Sequence, residues 1–431
     1  MIQLTSLVLT ALLQGGPTSP PPGTTPTKPM TPSPGVTPGA MAPAATPALL
    51  QPNAPVVIPE GALRRADGRL NRFTMSVTIF QSPLQPPTGQ WQLPLIADGP
   101  WSMLDPNQFE VTISTPQGAT TEPASQLTSK PGRLGDIMLS IDAPTNEGLP
   151  ISIGVQGVVA TWSCEFDDAA AMKLDWPAQW PTAVQSLLRP SPLIESDADI
   201  ITQTVQRVTN GDVRSVPPVQ AAKLLVQYAC SNFQPNGSRM LRGLRRQLRG
   251  IAVEGATTAA QAGAGSPADL VCLSVAMLRA AELPARPVIG IAEDRGSRKG
   301  EFVTWAEVYL PNCGWVPFDP YELNKRSVNT LDARQAWRYF GNVPNLDQRI
   351  PLAWTFAPGN GDTAWDAWAL WGWTRLAPGV EFPLDIEHLV INTKNGTLTL
   401  QDANTVPTQV NLRRSSLGRA SPPNAPIGRR P

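Results

Sequence analysis

Two stretches gather the residue types that could carry covalent chemistry. They are Gly265–Arg286, GSPADLVCLSVAMLRAAELPAR, and Val303–Pro320, VTWAEVYLPNCGWVPFDP. They hold the thiols of Cys272 and Cys313, the hydroxyl of Ser266 and the carboxylates of Asp269, Glu307 and Asp319. A thiol attacks as thiolate, and an imidazole or a helix N-terminus beside it favours that form. The sole histidine, His388, lies far downstream. Cys272 is five residues beyond Pro267, a rotation of about 140° on a helix, so it is expected to face the core. Cys313 sits at a hairpin tip and reads as an exposed loop thiol with no base in view. The four cysteines show no C-x-x-C or Cys/His metal spacing, and no nucleotide-binding fingerprint stands out, so no metal or cofactor is expected.

The elements that position these residues follow from local rules. Ser266 can cap a helix, Pro267 suits its first position, and Asp269 completes a Ser-x-x-acid capping box. Leu270, Val271, Ser274, Val275 and Leu278 recur at helical spacing, and the helix stops at Pro284. The second stretch alternates through Trp305–Leu310, turns at Pro311-Asn312-Cys313-Gly314 and returns through Trp315–Phe318 as a hairpin.

With those motifs in hand, the segment resembles the core of the transglutaminase-like superfamily, a papain-like fold. That family carries G-x-C-x-D at the start of a central helix, a Leu-Arg near its end, a Leu/Ile-Pro-Ala-Arg turn, a strand H-A-W-x-E-V-Y and then G-W-x-x-F-D-P. Gly265 and Asp269 match the first, Leu278-Arg279 and Leu283-Pro284-Ala285-Arg286 the next two. Trp305, Glu307, Val308 and Tyr309 match the strand, and Gly314, Trp315, Phe318, Asp319 and Pro320 the last. The resemblance implies a Cys-His-Asp triad, and here the sequence departs from it. Pro267 stands at the nucleophile's position and Val303 at the base's, while Asp319 is retained. The expectation is therefore a transglutaminase-like protein without its chemistry, binding a partner through the old cleft (Ser266, Asp269, Trp305, Trp315) or through its β-domain. The alternative is a cysteine protease or amide hydrolase of the same superfamily with a displaced nucleophile, Cys313 or Ser266. In the inactive reading, with no histidine to orient, Asp319 serves a Phe-Asp-Pro turn through backbone hydrogen bonds.

Lys and Arg total 34, as do Asp and Glu, so the bulk charge names no partner, and nucleic acid is not indicated. Leu4–Leu13 is an apolar run too short to span a bilayer; it reads as a signal-peptide h-region or as a disordered start. A Pro/Thr/Ala-rich stretch then reads as an extended linker. The expected organisation is 1–16 signal, 17–66 linker, 67–175 β-sandwich, 176–345 transglutaminase-like core, 346–410 Trp-rich and β extension, and 411–431 disordered basic tail. The expected fold class is α+β, an N-terminal β-sandwich followed by helices packed on an antiparallel sheet. A signal and a stalk fit a secreted or periplasmic protein of a bacterial envelope, whose partner is a peptide, glycan or protein.

Other expectations are local. A helix is expected to begin near Leu193, another at Pro218, a strand over Val288–Ile291, a helix over Leu331–Tyr339 and a hairpin turn at Asn395-Gly396. Ser238–Gly250 reads as an amphipathic helix with Arg239, Arg242, Arg246 and Arg249 on one face. That face is either solvated or a site for an acidic polymer or phosphate. Trp365, Trp368 and Trp371, three apart, would stack on one side of a helix, as core or as a flat binding surface.

Overall fold

The computed structural model describes residues 61–79, 89–142 (apart from 97, 124–127, 132–133 and 135), 151–237, 239–242, 248–293 and 300–356. It also describes the strands 372–375 and 386–397. All of these belong to one compact unit, Ala45–Pro431. The segments read as signal, linker, Trp365–Trp371 row and basic tail lie outside the described residues.

Alternating apolar residues build two antiparallel sheets in the N-terminal region. The first contains β1 (Leu63–Ile79), β3 (Ser102–Thr115), β4 (Gly118–Pro123) and β7 (Ile151–Phe166); the second contains β2 (Gly89–Leu95), β5 (Thr128–Pro131) and β6 (Ile137–Asp142). Phe73, Val111, Ile153 and Val155 of the first sheet and Leu139 and Ile141 of the second are buried in one core. Strand β7 is central in its sheet, and Val158–Trp162 are buried on both faces. A turn at Leu346–Gln348 covers this stretch, where Asn71 Nδ2 and Thr161 Oγ1 both donate to the Asp347 carbonyl.

Short helices α1 (Asp168–Ala171) and α2 (Thr182–Gln185) lead to α3 (Asp199–Val208) and α4 (Pro218–Ser231). Helix α3 starts six residues later than the sequence suggested, because Leu193 takes a left-handed φ of 66° and Ser191 and Ile194 bridge to each other first. Next come β8 (Gln234–Pro235), β9 (Met240–Arg242), β10 (Leu248–Ile251), α5 (Ala256–Ala262), β11 (Ala264–Gly265) and α6 (Pro267–Ala280). The expected Ser238–Gly250 helix is instead an antiparallel hairpin, β9 against β10. Gly243 and Gly250 each lower helix propensity by about 1 kcal/mol, and Ala252 N–H to Arg239 carbonyl extends the strand pairing.

The core sheet follows: β12 (Ala285–Glu293), β13 (Gly300–Leu310) and β14 (Gly314–Phe318), then α7 (Pro320–Asn324) and β15 (Arg349–Ala353), in the order β14-β13-β12-β15. Helix α6 is buried along its length and packs against α3, α4, α5, α7, β12 and β13. The helix expected over Leu331–Tyr339 is absent. That segment is held as turns, with the Trp337 indole donating to the Asp332 carbonyl and Tyr339 at φ 73° so that Phe340 bridges to Phe318. Strands β16 (Gly372–Arg375) and β17 (Ile386–Thr397) return to the N-terminal sheets, pairing with β2 and β1. Asn395 and Gly396 are therefore not a turn: they pair with Asn71 and Leu70 inside β17, and the long ladder with β1 overrides a local turn preference.

Candidate functional site

Ser266 caps α6 as its sequence requires. Its Oγ accepts from Asp269 N–H at 3.1 Å, and Asp269 Oδ2 accepts from Ser266 N–H at 2.9 Å. The other oxygen of Asp269 accepts the N–H groups of Glu254 and Gly255, at 2.6 and 3.0 Å, and the Ser266 hydroxyl also donates to the Ala252 carbonyl. Both side chains are buried and fully engaged. Gly265 has to be glycine: at φ 158° a Cβ would stand 2.8 Å from Asp269 Oδ2. Pro267 follows at the first helical position, buried, where its missing N–H costs nothing.

Val303 lies on β13 opposite Gly290, half-buried against the core. Two residues on, Trp305 is 2 % exposed, and its ring passes over Gly290, where an added Cβ would stand 2.9 Å from it. Asp319 follows β14 and caps α7, Oδ1 accepting from Glu322 N–H at 3.0 Å. Its Oδ2 accepts from Arg349 of β15 at 2.7 Å, with both side chains largely buried. The Arg349 guanidinium stands 5.6 Å from the Trp305 ring. Arg349 is the residue that sequence reasoning missed, since its partner is thirty positions away and no motif marks it. The elements carrying positions 267, 303 and 319 (α6, β13, α7) pack on one another.

The same strands hold a second buried pair. Arg286 and Glu307 are cross-strand partners on β12 and β13, joined Nε to Oε2 at 2.7 Å. The guanidinium lies between the rings of Trp315 and Trp354, at 3.9 and 3.8 Å. Burial pushes the Glu307 carboxyl up, and the Arg286 charge pulls against that. Trp315 also meets Tyr309 edge-on at 5.3 Å. Of the side chains expected to line a cleft, Ser266 and Asp269 thus serve the helix cap, and Trp305 and Trp315 pack on arginines.

All four cysteines are free and buried. Cys313, expected to be exposed, is 1 % exposed: Asn312 and Gly314 on either side take positive φ, and the Cys313 side chain packs in the core while Asn312 stays exposed. Burial pushes its thiol up to about 12. Burial likewise lifts Cys164 to about 12, and its Sγ donates to the Gly341 carbonyl at 2.8 Å. Cys230 and Cys272 are raised by burial too, and Cys272 faces the core as its helical position implies. His388 lies on β17; its side chain is outside the described residues. Among the described residues no group of His, Cys, Asp and Glu is placed to hold a metal, and no helix is long and apolar enough to cross a membrane. A cavity of about 210 Å³ opens on the first sheet between Arg72, Gln108, Glu110 and Gln156, and none of the positions 267, 303 and 319 lines it.

No curated protein matches the chain. Solved structures do. A proposed cysteine protease from Cytophaga hutchinsonii is 14 % identical, with 79 % of this chain and 94 % of that one covered and a TM-score of 0.47. The periplasmic domain of TgpA from Pseudomonas aeruginosa is 16 % identical over 59 % of this chain and 91 % of its own, with a TM-score of 0.29. A proposed protease from Parabacteroides distasonis is 12 % identical over 59 % and 65 %, with a TM-score of 0.21. At these scores the likenesses carry no functional argument. The profile of the transglutaminase-like superfamily matches residues 202–320, from within α3 to the first residue of α7. The match is thus to a segment of the chain, residues 202–320, and what it implies is taken up as a proposal below.

Proposed function

We propose that the chain is a catalytically inactive member of this superfamily that binds a partner, a peptide, glycan or protein, in the bacterial envelope. One observation carries the reading: the positions that would hold a nucleophile and a base are Pro267 and Val303, and the carboxylate that would orient the base is engaged by Arg349 and the α7 N-terminus. Proline offers no nucleophile and valine no base. The apolar run Leu4–Leu13 and the proline-rich stretch after it support export and a stalk. To test it, the purified protein is mixed with a glutamine peptide and a primary amine, and separately with peptide substrates. No turnover is expected; turnover abolished by thiol alkylation would sink the reading.

The alternative, a displaced nucleophile, has two candidates. Cys313 is buried with its thiol raised to about 12, and Ser266 is fixed by the cap. Should turnover be seen, Cys313→Ala and Ser266→Ala decide between them. A pull-down that retrieves nothing specific would favour a purely structural module over a binding one.

A further inference from the structure

Strand β3 bulges away from β7 in the first sheet. Asp105 opposes Val158 and Glu110 opposes Gln156, so residues 106–109 face only Gly157. Asp105 holds the bulge in shape: Oδ1 accepts from Asn107 N–H at 3.0 Å and Oδ2 from Gln108 Nε2 at 2.7 Å. On the other side of β7, Arg72 of β1 opposes Val158. Cross-strand partners, and residues two apart on one strand, share a face, so Arg72, Val158, Gln156 and Glu110 point to the same side. With Asn107, Gln108 and Gly157 they line the cavity of about 210 Å³. Its floor is firm, because Gly157 turns its bare side to the core, where an added Cβ would stand 2.8 Å from the Phe73 ring and 3.0 Å from Phe109. Arg72 and Glu110 sit on the two strands flanking β7, two residues out of step, which separates their Cα atoms by about 12 Å. Among the described residues no ion pair joins the two, and the cavity lies between them.

We infer that this cavity binds a small α-amino acid as its zwitterion. The Arg72 guanidinium takes the carboxylate in a fork, and Glu110 on the far side accepts from the ammonium. The one cation and the one anion of the lining then each meet their opposite, and the ligand brings no net charge. The amide side chains of Asn107, Gln108 and Gln156 both donate and accept, which suits a ligand side chain carrying a hydroxyl or an amide. The volume is that of roughly seven water molecules at about 30 Å³ each, the bulk of such a molecule. No aromatic residue lines the cavity, so a sugar ring has no flat apolar face to lie on. The site lies apart from positions 267, 303 and 319, and the inference holds whether or not the core keeps any chemistry.

The test is isothermal titration calorimetry of the full chain with L-serine. Binding is expected, and L-serinamide, which lacks the carboxylate, and 3-hydroxypropionate, which lacks the amine, should each bind at least about tenfold more weakly. The variants R72Q and E110Q should each weaken L-serine by at least about tenfold, R72Q leaving serinamide unchanged and E110Q leaving 3-hydroxypropionate unchanged. If E110Q does not fold, R72Q, at an exposed side chain, decides. Absence of binding, or unchanged binding in R72Q, would overturn the inference and leave an ordinary solvated hollow. Equal binding of serinamide or of 3-hydroxypropionate would overturn the zwitterion, and equal or tighter binding of glucose would make the ligand a sugar.

Discussion

Asp319 has two oxygens, and both are engaged: one by the first turn of α7, the other by Arg349. A triad carboxylate must instead be available to an imidazole. Removing one member of a buried pair leaves the other uncompensated, so Arg349→Leu is expected to destabilise by about 3 kcal/mol. Urea unfolding of the variant against the parent measures it, and a change under about 1 kcal/mol would mean the pair behaves as a surface bridge. The thiols give a second check. With Cys164 and Cys313 near 12, the thiolate fraction at pH 8 is on the order of one in ten thousand. Iodoacetamide should label the native protein slowly and the urea-unfolded chain fast; rapid native labelling of Cys313 would reopen the displaced-nucleophile reading. Glu322 supplies the pH dependence. Its partial burial raises its carboxyl, but the Lys325 hydrogen bond and the charges of Arg326 and Arg349 more than offset this and leave it below its ordinary value. A folded pKa below the unfolded one adds stability above the unfolded pKa of about 4.3 and loses it as pH falls through the folded value. Glu322→Gln should therefore lower Tm at pH 7, with the difference closing below about pH 4.

Within elements, the Arg286–Glu307 pair holds β12 to β13 where Leu-Pro-Ala-Arg meets Trp-x-Glu-Val-Tyr, so two of the sequence motifs are the two ends of one contact. Glu307→Gln leaves the guanidinium buried between Trp315 and Trp354 without its counter-charge and is expected to cost about 3–5 kcal/mol. Replacing both residues by apolar ones of similar size should cost far less, and equilibrium unfolding of the single and double variants separates the outcomes. The motifs were readable because each is a local rule: a capping box, a proline at a helix start, an alternating strand. The same holds for α4, opened by Pro218. Where pairing or packing rather than helical spacing decides, local rules failed. The 240–251 segment has arginines and leucines at helical spacing, yet it pairs as a hairpin, and Gly243 was the signal against a helix. The 331–339 segment closes on Phe318 and Pro317, with Gly341 N–H donating to the Pro317 carbonyl. Gly341 itself is fixed by Phe166, 2.2 Å from where a Cβ would stand, a constraint that nothing near it in sequence announces.

At the scale of the whole molecule, the N-terminal sheets and the region of α3 to β15 are joined by contacts that neither has alone. Cys164 and the Phe166 N–H, at the end of β7, bond to Gly341 and Asn342, and Arg69 pairs with Asp347 at 2.7 Å. Buried residues of both regions form one continuous hydrophobic cluster. Strand β17 ties them further: it pairs with β1 from Arg69 to Ile79 and also lies against β10, β12 and β13. Shared core and shared strand together predict one cooperative unfolding transition for the described residues. Deleting 386–397 removes the outer partner of β1, whose N–H and C=O groups then form an open edge, and it strips a contact from the core strands at the same time. The truncated chain is expected to melt in two steps by calorimetry, with the N-terminal sheets first, and to associate as concentration rises in size-exclusion runs. A single transition at the parental Tm would mean that β17 is an accessory strand and that the shared core and the contacts of Gly341, Asn342 and Asp347 hold the two regions together without it.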